Sequence, residues 1–389
     1  MLVALLACAP PRRCEPTPAP SADVPALDAW VEDQLDAYNL VGLAAAVSGP
    51  DGLVWSGAAG FEHLARRVPV EADATKFRWA SVSKGITGVL ASQLAAEGVV
   101  DLHADVRDAY PAYDVPETWL DGCAERECEA TIPEADRRVT LHQLLTHTAG
   151  TMHYANGQGW GDPPFFLANS PTWNTGMAWA LPWWTNKPLV AVPGTRHSYS
   201  SYGFNLAGVV LEEAAGERFA DLVYERIVAP AGACTVQPDY PWVNIPRRAA
   251  GYLNPEEYVG IDVVLEGYDS DVTWKLASGG FVSTVEDLAR FCHALVSERL
   301  LDRETLDATA WGPHVDVGGS VYGYGFWRND RHGQTRMAHS GGQPKGLSYV
   351  AAYPDLGTCF AVMTNSTWAP IGDLARSLED TWFAVSPIP

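Results

Sequence analysis

The residues best suited to chemistry in this sequence are a serine and a lysine in the stretch Ser81-Val82-Ser83-Lys84. A serine hydroxyl is too weakly acidic to attack a carbonyl carbon at neutral pH unless a nearby base takes its proton. The apolar residues that follow, as far as Ala96, favour a helix. Residues three apart lie on one face of a helix, so the Lys84 amine would reach the Ser81 hydroxyl. The free N–H groups at the helix start would stabilise negative charge there.

Two further stretches offer groups that can move protons or bind a substrate. The first contains Tyr199 and Ser201, and the second is His339-Ser340-Gly341-Gly342, placed between two predicted strands. Taken singly, each has an ordinary structural explanation: a core tyrosine, a strand histidine and a glycine bulge. Their spacing alone does not link them to Ser81 and Lys84.

The elements that must position these groups are strands near both ends of the chain, with helices between them. Strands are predicted at residues 42–48, 53–57, 322–328, 335–339, 348–353 and 359–364. Helices are predicted at 24–38, 141–145, 202–216 and 368–385. These elements predict an α+β fold, with a central antiparallel sheet built from both termini and flanked by helices.

The same pattern predicts the domain organisation. We expect residues 1–22 to precede the folded part, 23–98 and 276–389 to form the sheet, and 99–275 to form a helical, loop-rich insertion. Together they would make one domain over residues 25–385. The insertion includes an aromatic stretch, residues 155–195, which would be either a self-packed loop or a wall for a substrate or partner.

Composition limits the partners of this chain of 389 residues. Its net charge of −21 argues against nucleic acid and anionic membrane surfaces. No Cys/His cluster has the spacing of zinc ligands, so we predict no metal and no cofactor. The expected partner is a small-molecule or peptide substrate, with a homo-oligomer as a further option.

The N-terminus is similar to the end of a bacterial signal peptide with a lipobox, Leu5-Leu6-Ala7-Cys8, although no Lys or Arg precedes the apolar run. This predicts export to the periplasm or cell envelope, with membrane attachment through a lipidated Cys8. The proline-rich residues 9–22 would be a tether.

Five of the six remaining cysteines fall into two groups. Cys123 and Cys128 are close together in an acidic, loop-like segment, which suits a local disulfide in an oxidising compartment. Cys234, Cys292 and Cys359 lie in apolar surroundings and are predicted to be buried thiols.

Several ordered motifs give the chain a family resemblance. They are Phe77-Arg78-Trp79-Ala80-Ser81-Val82-Ser83-Lys84, Leu144-Leu145-Thr146-His147-Thr148-Ala149-Gly150, Tyr199-Ser200-Ser201, Trp274-Lys275-Leu276-Ala277-Ser278-Gly279-Gly280-Phe281-Val282-Ser283-Thr284 and His339-Ser340-Gly341-Gly342. With them the chain resembles the class C β-lactamase and DD-peptidase superfamily of penicillin-binding serine hydrolases over residues 25–380. It looks most like the LACTB-type serine β-lactamase-like proteins.

The resemblance implies Ser81 as nucleophile and acyl carrier, with Lys84 as its amine partner and Tyr199 sharing the proton transfers. Which of the two is the base stays open. A charged Lys84 favours Tyr199, whose phenol has an ordinary pKa of about 10, whereas a neutral Lys84 could act itself.

The remaining positions of the motifs imply how substrate is held. His339, where the family more often has lysine, would bind a substrate carboxylate only when protonated, which predicts pH-dependent activity. The backbone N–H groups of Ser81 and Gly342, the latter on an edge strand, would form the oxyanion hole, with Ser340 and Gly341 beside them.

One position departs from the family pattern, because Ser201 stands where asparagine is usual. A hydroxyl reaches less far than an amide and lacks its fork of donors. This disfavours efficient β-lactam hydrolysis and favours a peptidase or esterase. The predicted function is an exported serine hydrolase that cleaves an amide or ester bond through a Ser81 acyl-enzyme. The alternative is a weakly active or inactive member that forms assemblies or binds partners.

Overall fold

The computed structural model describes residues 13–15, 18–121, 128–154, 176–253, 265–266, 271–386 and 388. In chain order the strands are β1 (Gly42–Gly49), β2 (Gly52–His63), β3 (Val68–Pro69), β4 (Phe77–Arg78), β5 (Thr118–Leu120), β6 (Glu129–Thr131), β7 (Gln237–Pro238), β8 (Tyr252–Leu253), β9 (Leu265–Glu266), β10 (Phe281–Ser283), β11 (Val315–Val317), β12 (Ser320–Tyr322), β13 (Trp327–Arg331), β14 (Gln334–Gln343), β15 (Gly346–Tyr353) and β16 (Thr358–Thr364). The α-helices are α1 (Pro25–Ala37), α2 (Ser83–Ala96), α3 (Leu141–Leu145), α4 (Ser201–Ala215), α5 (Phe219–Val223), α6 (Ala229–Ala231), α7 (Leu276–Gly279), α8 (Val285–Val296), α9 (Arg303–Ala308) and α10 (Ile371–Val385).

The two ends of the chain meet in one large sheet. Among the described residues it has nine strands, in the order β11-β12-β13-β14-β15-β16-β1-β2-β3. The first and last long strands, β1 and β16, pair antiparallel in its interior, from Leu43 opposite Thr364 to Ser48 opposite Cys359. A central antiparallel sheet built from both termini is therefore confirmed, and with it the α+β fold.

Strand β1 is buried along its whole length because helices cover both faces of the sheet. Successive side chains of a strand point to opposite faces. Leu43, Ala45 and Val47 pack in the cluster that includes residues of α1 and α10. Ala44 and Ala46 point into the larger core that includes α2 and α8. The alternation of side chains along β1 thus separates two cores, and the larger one carries the site.

Helix α2 lies inside that larger core. Every residue from Ser83 to Leu94 is buried, so the helix has no solvent face, as expected when its apolar residues run all round. A Cβ at Gly88 would lie 2.0 Å from the carbonyl oxygen of Tyr324, so only glycine allows this close approach. The helix that follows Ser81 is consequently held rigidly in place.

The cysteines differ from their prediction. Cys14 is disulfide-bonded to Cys234, and Cys292 of α8 is bonded to Cys359 of β16. The prediction that Cys234, Cys292 and Cys359 are thiols is therefore wrong. Two cysteines that lie far apart in sequence become neighbours only when the helix packs on the sheet, so their apolar surroundings gave no sign of pairing.

Only one of the other cysteines with a prediction lies within the described residues. Cys128 is disulfide-bonded, while Cys123 and Cys8 lie outside the described residues. No helix in the described ranges is long and apolar enough to cross a bilayer.

Candidate active site

Ser81 lies on a tight turn between a strand and a buried helix. It occupies the short 3₁₀ segment Ala80–Val82 that connects β4 to α2. Ala80 has a left-handed φ of +46°, an uncommon conformation for a residue with a Cβ. Such a conformation persists only where the surroundings fix it. Here the buried Trp79 donates its indole N–H to Ser283 (2.8 Å), and its carbonyl accepts from the Ser348 hydroxyl (2.5 Å).

Lys84 reaches Ser81 from the first turn of α2. Its Nζ lies 3.1 Å from Ser81 Oγ, 3.0 Å from Ser201 Oγ and 3.0 Å from the carbonyl oxygen of Ser278. The side chain is fully buried. The structure thus brings together Ser81, Lys84 and Ser201, which are up to 120 residues apart (81 to 201) in the sequence.

The electrostatic surroundings favour a neutral Lys84. Burial lowers the pKa of Lys84 well below its ordinary value of 10.5, and the nearby Lys275 lowers it further. Desolvation disfavours the ammonium because a buried charge loses its hydration, and a second cation adds repulsion. In the described chain no carboxylate is paired with Lys84 to oppose these effects.

Tyr199 lies beside both residues, and its pKa is shifted in the opposite direction from that of Lys84. Lys84 Nζ is 4.9 Å from the centroid of its ring, and its side chain is hydrogen-bonded with Ser81. Burial raises the pKa of Tyr199 well above the ordinary 10, an effect that outweighs this hydrogen bond. The phenol therefore stays protonated, while the lysine tends to lose its proton.

Two neutral histidines hold the segment that carries Tyr199. His147 Nδ1 accepts the backbone N–H of Ser200 (3.1 Å), and His153 Nδ1 accepts that of Ser201 (3.2 Å). Burial lowers the pKa of His153 to about 4 and that of His147 well below 6.5, with Lys84 adding to both shifts. An imidazole can accept a hydrogen bond only when it is neutral, so the low pKa values suit this role.

Ser201, the residue that departs from the family pattern, has a second partner. Besides Lys84 it forms a side-chain hydrogen bond with Tyr154. The hydroxyl therefore does reach Lys84, in spite of its short side chain. Sequence reasoning missed Tyr154; the signal that could have found it is its position four residues after the Thr-His-Thr-Ala-Gly motif that ends at Gly150.

The end of strand β14 runs along the Ser81 turn. Strand β13 pairs with β14 only as far as Ala338, so residues 339–343 have β15 on one side and the turn on the other. A Cβ at Gly341 would lie 2.2 Å from the carbonyl oxygen of Trp79, which explains the glycine. Ser340 and Gly342 are exposed beside it. Strand β14 lies in the interior of the sheet, between β13 and β15, so the prediction of an edge strand is wrong for β14 as a whole, although β13 does not pair with this last stretch.

His339 is buried within the same stretch and neutral. Its Nδ1–H donates to the carbonyl of Ser340 (2.6 Å), and its Nε2 accepts from the hydroxyl of Tyr322 (3.3 Å). Burial, with a further contribution from Lys84, lowers its pKa to about 3. A protonated His339 that binds a substrate carboxylate near neutral pH is therefore not what this geometry favours.

A second buried lysine was not singled out from the sequence. Lys275 is 8% exposed, and its Nζ lies 5.4 Å from the centroid of the Tyr154 ring. Burial, and then Arg78, lower the pKa of Lys275 to about 7, although Asp239 acts in the opposite direction. Its only sequence signal was its place just before the Leu-Ala-Ser-Gly-Gly motif.

Parts of the predicted aromatic wall lie outside the described residues, namely Trp160, Phe165, Phe166 and Trp173. Of the others, Trp184 is buried and stacks on Tyr202 at 5.1 Å between ring centroids. Within the described ranges no group of three or more His, Cys, Asp or Glu residues could hold a metal ion.

The α+β fold and a buried lysine beside a serine on a helix-opening turn define a class, the serine hydrolases with a β-lactamase-like fold. Residues 27–376 match the Beta-lactamase family, and the chain belongs to this family. Its enzyme class is therefore serine hydrolase.

The relatives include an esterase and a mitochondrial protein. The chain is 30% identical to esterase EstB of Burkholderia gladioli over 391 residues, which cover 92% of this chain and 94% of the esterase. It is 23% identical to human LACTB, the mitochondrial serine beta-lactamase-like protein, over 84% of this chain and 70% of that protein. The resemblance to the superfamily that includes LACTB is confirmed.

A solved structure gives the same fold. The D-amino acid amidase of Ochrobactrum anthropi SV3, in complex with L-phenylalanine amide, superposes with a TM-score of 0.74 at 20% identity. The match covers 93% of this chain and 99% of the amidase.

Proposed function

We propose that this protein is an exported hydrolase that cleaves an ester or amide bond through an acyl-enzyme on Ser81. The observation that carries the proposal is the position of the fully buried Lys84, whose Nζ lies 3.1 Å from Oγ of the partly buried Ser81. A pairing of this kind is what a serine nucleophile requires.

The three neighbours of Lys84 match the bonding capacity of a neutral amine, which has two N–H groups and one lone pair. The carbonyl of Ser278 can only accept, so it takes one N–H, and Ser201 Oγ takes the other. The lone pair then faces the Ser81 hydroxyl. This arrangement favours Lys84 over Tyr199 as the base, because the pKa of Tyr199 is raised by burial.

The first half of the reaction follows from this arrangement. Lys84 takes the hydroxyl proton of Ser81 as Oγ bonds to the substrate carbonyl carbon, whose oxygen becomes an oxyanion. The N–H groups of Ser81 and Gly342 would stabilise that charge. The Tyr199 phenol donates its proton to the departing alcohol or amine and regains one from the Lys84 ammonium. The bond to the leaving group breaks, and the acyl group remains on Ser81 as an ester.

The second half repeats these transfers with water as the nucleophile. Water loses a proton to Lys84 and attacks the acyl carbon, and Ser81 leaves with the proton returned by the same groups. The carboxylic acid product and the free serine result.

A peptidase or esterase is favoured over an efficient β-lactamase. Ser201 offers one hydroxyl, already engaged by Lys84 and Tyr154, where an asparagine amide would have further donors for an amide substrate. The name of one relative, esterase EstB, points the same way.

Export to the bacterial periplasm or envelope is supported by the cysteines. Disulfides persist in oxidising compartments and are rare in the cytosol. The bonds Cys14–Cys234 and Cys292–Cys359 are of this kind. Lipidation at Cys8, with membrane attachment, remains part of the proposal on the strength of the lipobox alone.

The test is labelling with a fluorophosphonate, read by intact mass. The wild type should gain one adduct, Ser81→Ala should gain none, and Ser83→Ala, which removes a buried serine of the same motif, should still be labelled. No adduct on the wild type would overturn the hydrolase proposal and leave the assembly-forming alternative. A panel of chromogenic esters, D-amino-acid peptides and nitrocefin then ranks the substrate classes.

A further inference from the structure

A further feature of the site is Lys275, a buried lysine whose ammonium is in no ion pair with the described residues. This residue ends the 3₁₀ segment Thr273–Lys275 and is 8% exposed. Its Nζ lies 5.4 Å from the Tyr154 ring centroid and 5.7 Å from that of Trp274. Within the described part of the chain this Nζ makes no ion pair and donates no hydrogen bond. Buried charges are normally paired, because leaving one unpaired is costly.

Lys275 belongs to the wall of the catalytic site. The Tyr154 ring lies beneath the Lys275 ammonium. The Tyr154 side chain is hydrogen-bonded to Ser201, whose Oγ lies 3.0 Å from Lys84 Nζ. On the other side Ser278, whose carbonyl accepts from Lys84, follows Lys275 by three residues and donates its hydroxyl to the Lys275 carbonyl (3.3 Å). Its charge is close enough to lower the pKa of Lys84.

The carboxylate that acts on Lys275 is already neutralised by other groups. Asp239 is 2.6 Å from Arg78 Nε and 3.0 Å from Arg248 Nε, so two guanidinium groups share this one anion. With Lys275 the group carries three cations and one carboxylate. In a chain of net charge −21 this is a local excess of positive charge, which attracts anions into the site.

We propose that Lys275 binds a carboxylate of the substrate and makes the enzyme selective for esters or amides that carry a negative charge near the scissile bond. This inference rests on the proposed function, since it concerns the same site. The pKa of about 7 suits it, because a bound carboxylate favours the ammonium form and so draws a proton onto Lys275. The residue expected from the sequence to bind a carboxylate, His339, is held neutral and engaged on both ring nitrogens.

The test compares esters matched in length and differing in charge. One pair places the carboxylate on the acyl side, para-nitrophenyl hydrogen adipate against para-nitrophenyl hexanoate. The other places it on the leaving group, meta-carboxyphenyl hexanoate against phenyl hexanoate. The readout is the ratio of kcat/KM, anionic over neutral, for the wild type, Lys275→Met, Lys275→Arg and the control Lys187→Met.

We expect Lys275→Met to lower the ratio for one pair by about tenfold to a hundredfold, the range of a hydrogen bond to a charged group. Lys275→Arg should restore part of it, and Lys187→Met should leave it as in the wild type. The loss should appear mainly in KM for the anionic ester.

The outcomes separate this inference from the proposed function. If the fluorophosphonate labels Ser81 but Lys275→Met leaves both ratios within twofold of the wild type, the carboxylate site is refuted and the hydrolase stands. The same conclusion follows if Lys275→Met lowers kcat/KM equally for both esters of a pair and shifts the acid limb of their pH–rate profiles. Lys275 would then act only through the pKa of Lys84. If Ser81 is not labelled and no ester is cleaved, both proposals fail together.

Discussion

Replacing Lys275 by methionine should stabilise the protein, and by an amount that depends on pH. The change keeps a side chain of similar length and removes a buried charge. Lys275 has a pKa of about 7 in the folded protein against 10.5 for its ordinary value. At about 1.36 kcal/mol per pKa unit, burying the ammonium costs the folded state on the order of 5 kcal/mol where both states are protonated.

The sign follows from the protons bound by each state. Below pH 7 Lys275 is charged in both the folded and the unfolded chain, so the whole cost is present. Between pH 7 and 10.5 the unfolded chain binds the extra proton, so the stability of the wild type rises with pH. The advantage of Lys275→Met in free energy of unfolding should therefore be about 5 kcal/mol at pH 6 and about 2 kcal/mol at pH 9.

The assay is urea unfolding followed by the fluorescence of the fifteen tryptophans, at pH 6 and pH 9 with the disulfides intact. Lys187→Met is the control, since it removes the same charge from a partly exposed position and should change stability by less than about 1 kcal/mol. A Lys275→Met variant no more stable than the wild type at pH 6, or one whose advantage is equal at the two pH values, would show that burial of the Lys275 ammonium does not destabilise the folded protein.

Two further predictions concern the base and a disulfide. Lys84→Met should lower the acylation rate, measured as the burst of para-nitrophenol, by roughly 10²- to 10⁴-fold. Tyr199→Phe keeps Lys84 as the base, so its acylation rate should fall by less. The opposite order of the two rates would show that Tyr199 is the base. Replacing both Cys292 and Cys359 by serine opens a loop with a sequence separation of 67 residues. By the chain-entropy relation this should cost about 4 kcal/mol of unfolding free energy, measured in urea beside the wild type with and without reductant. Equal stability of the oxidised wild type and the variant would contradict the bond.

The sequence predicted the fold and the contact between Lys84 and Ser81 because both depend on short-range patterns. The strands predicted at 42–48, 348–353 and 359–364 correspond to β1, β15 and β16, and the three-residue spacing of Ser81 and Lys84 does bring their side chains together. Tyr199 and the His339–Gly342 stretch required the family resemblance, since nothing local links them to Ser81.

What the sequence could not provide is the tertiary neighbourhood. Tyr154 and Lys275 lie 121 residues apart (154 to 275), and no spacing rule predicts that the Lys275 ammonium lies over the Tyr154 ring. The same is true of protonation. From the sequence, His339 is expected to bind a carboxylate when protonated, but its burial and its contact with Tyr322 keep it neutral. By residue type alone Lys84 would be an ordinary cation, but burial lowers its pKa.

The bond between Cys14 and Cys234 has a consequence for how the protein survives cleavage. It closes a covalent ring with a sequence separation of 220 residues, within which Ser81, Lys84 and Tyr199 all lie. A single cut of the backbone anywhere in that ring leaves the two fragments joined, so a nicked molecule keeps Ser81, Lys84 and Tyr199 covalently linked. Lys275 and His339 lie outside the ring and stay attached through the chain that leaves Cys234. To separate Ser81 from Tyr199, a cut inside the ring would have to be combined with reduction of the Cys14–Cys234 bond.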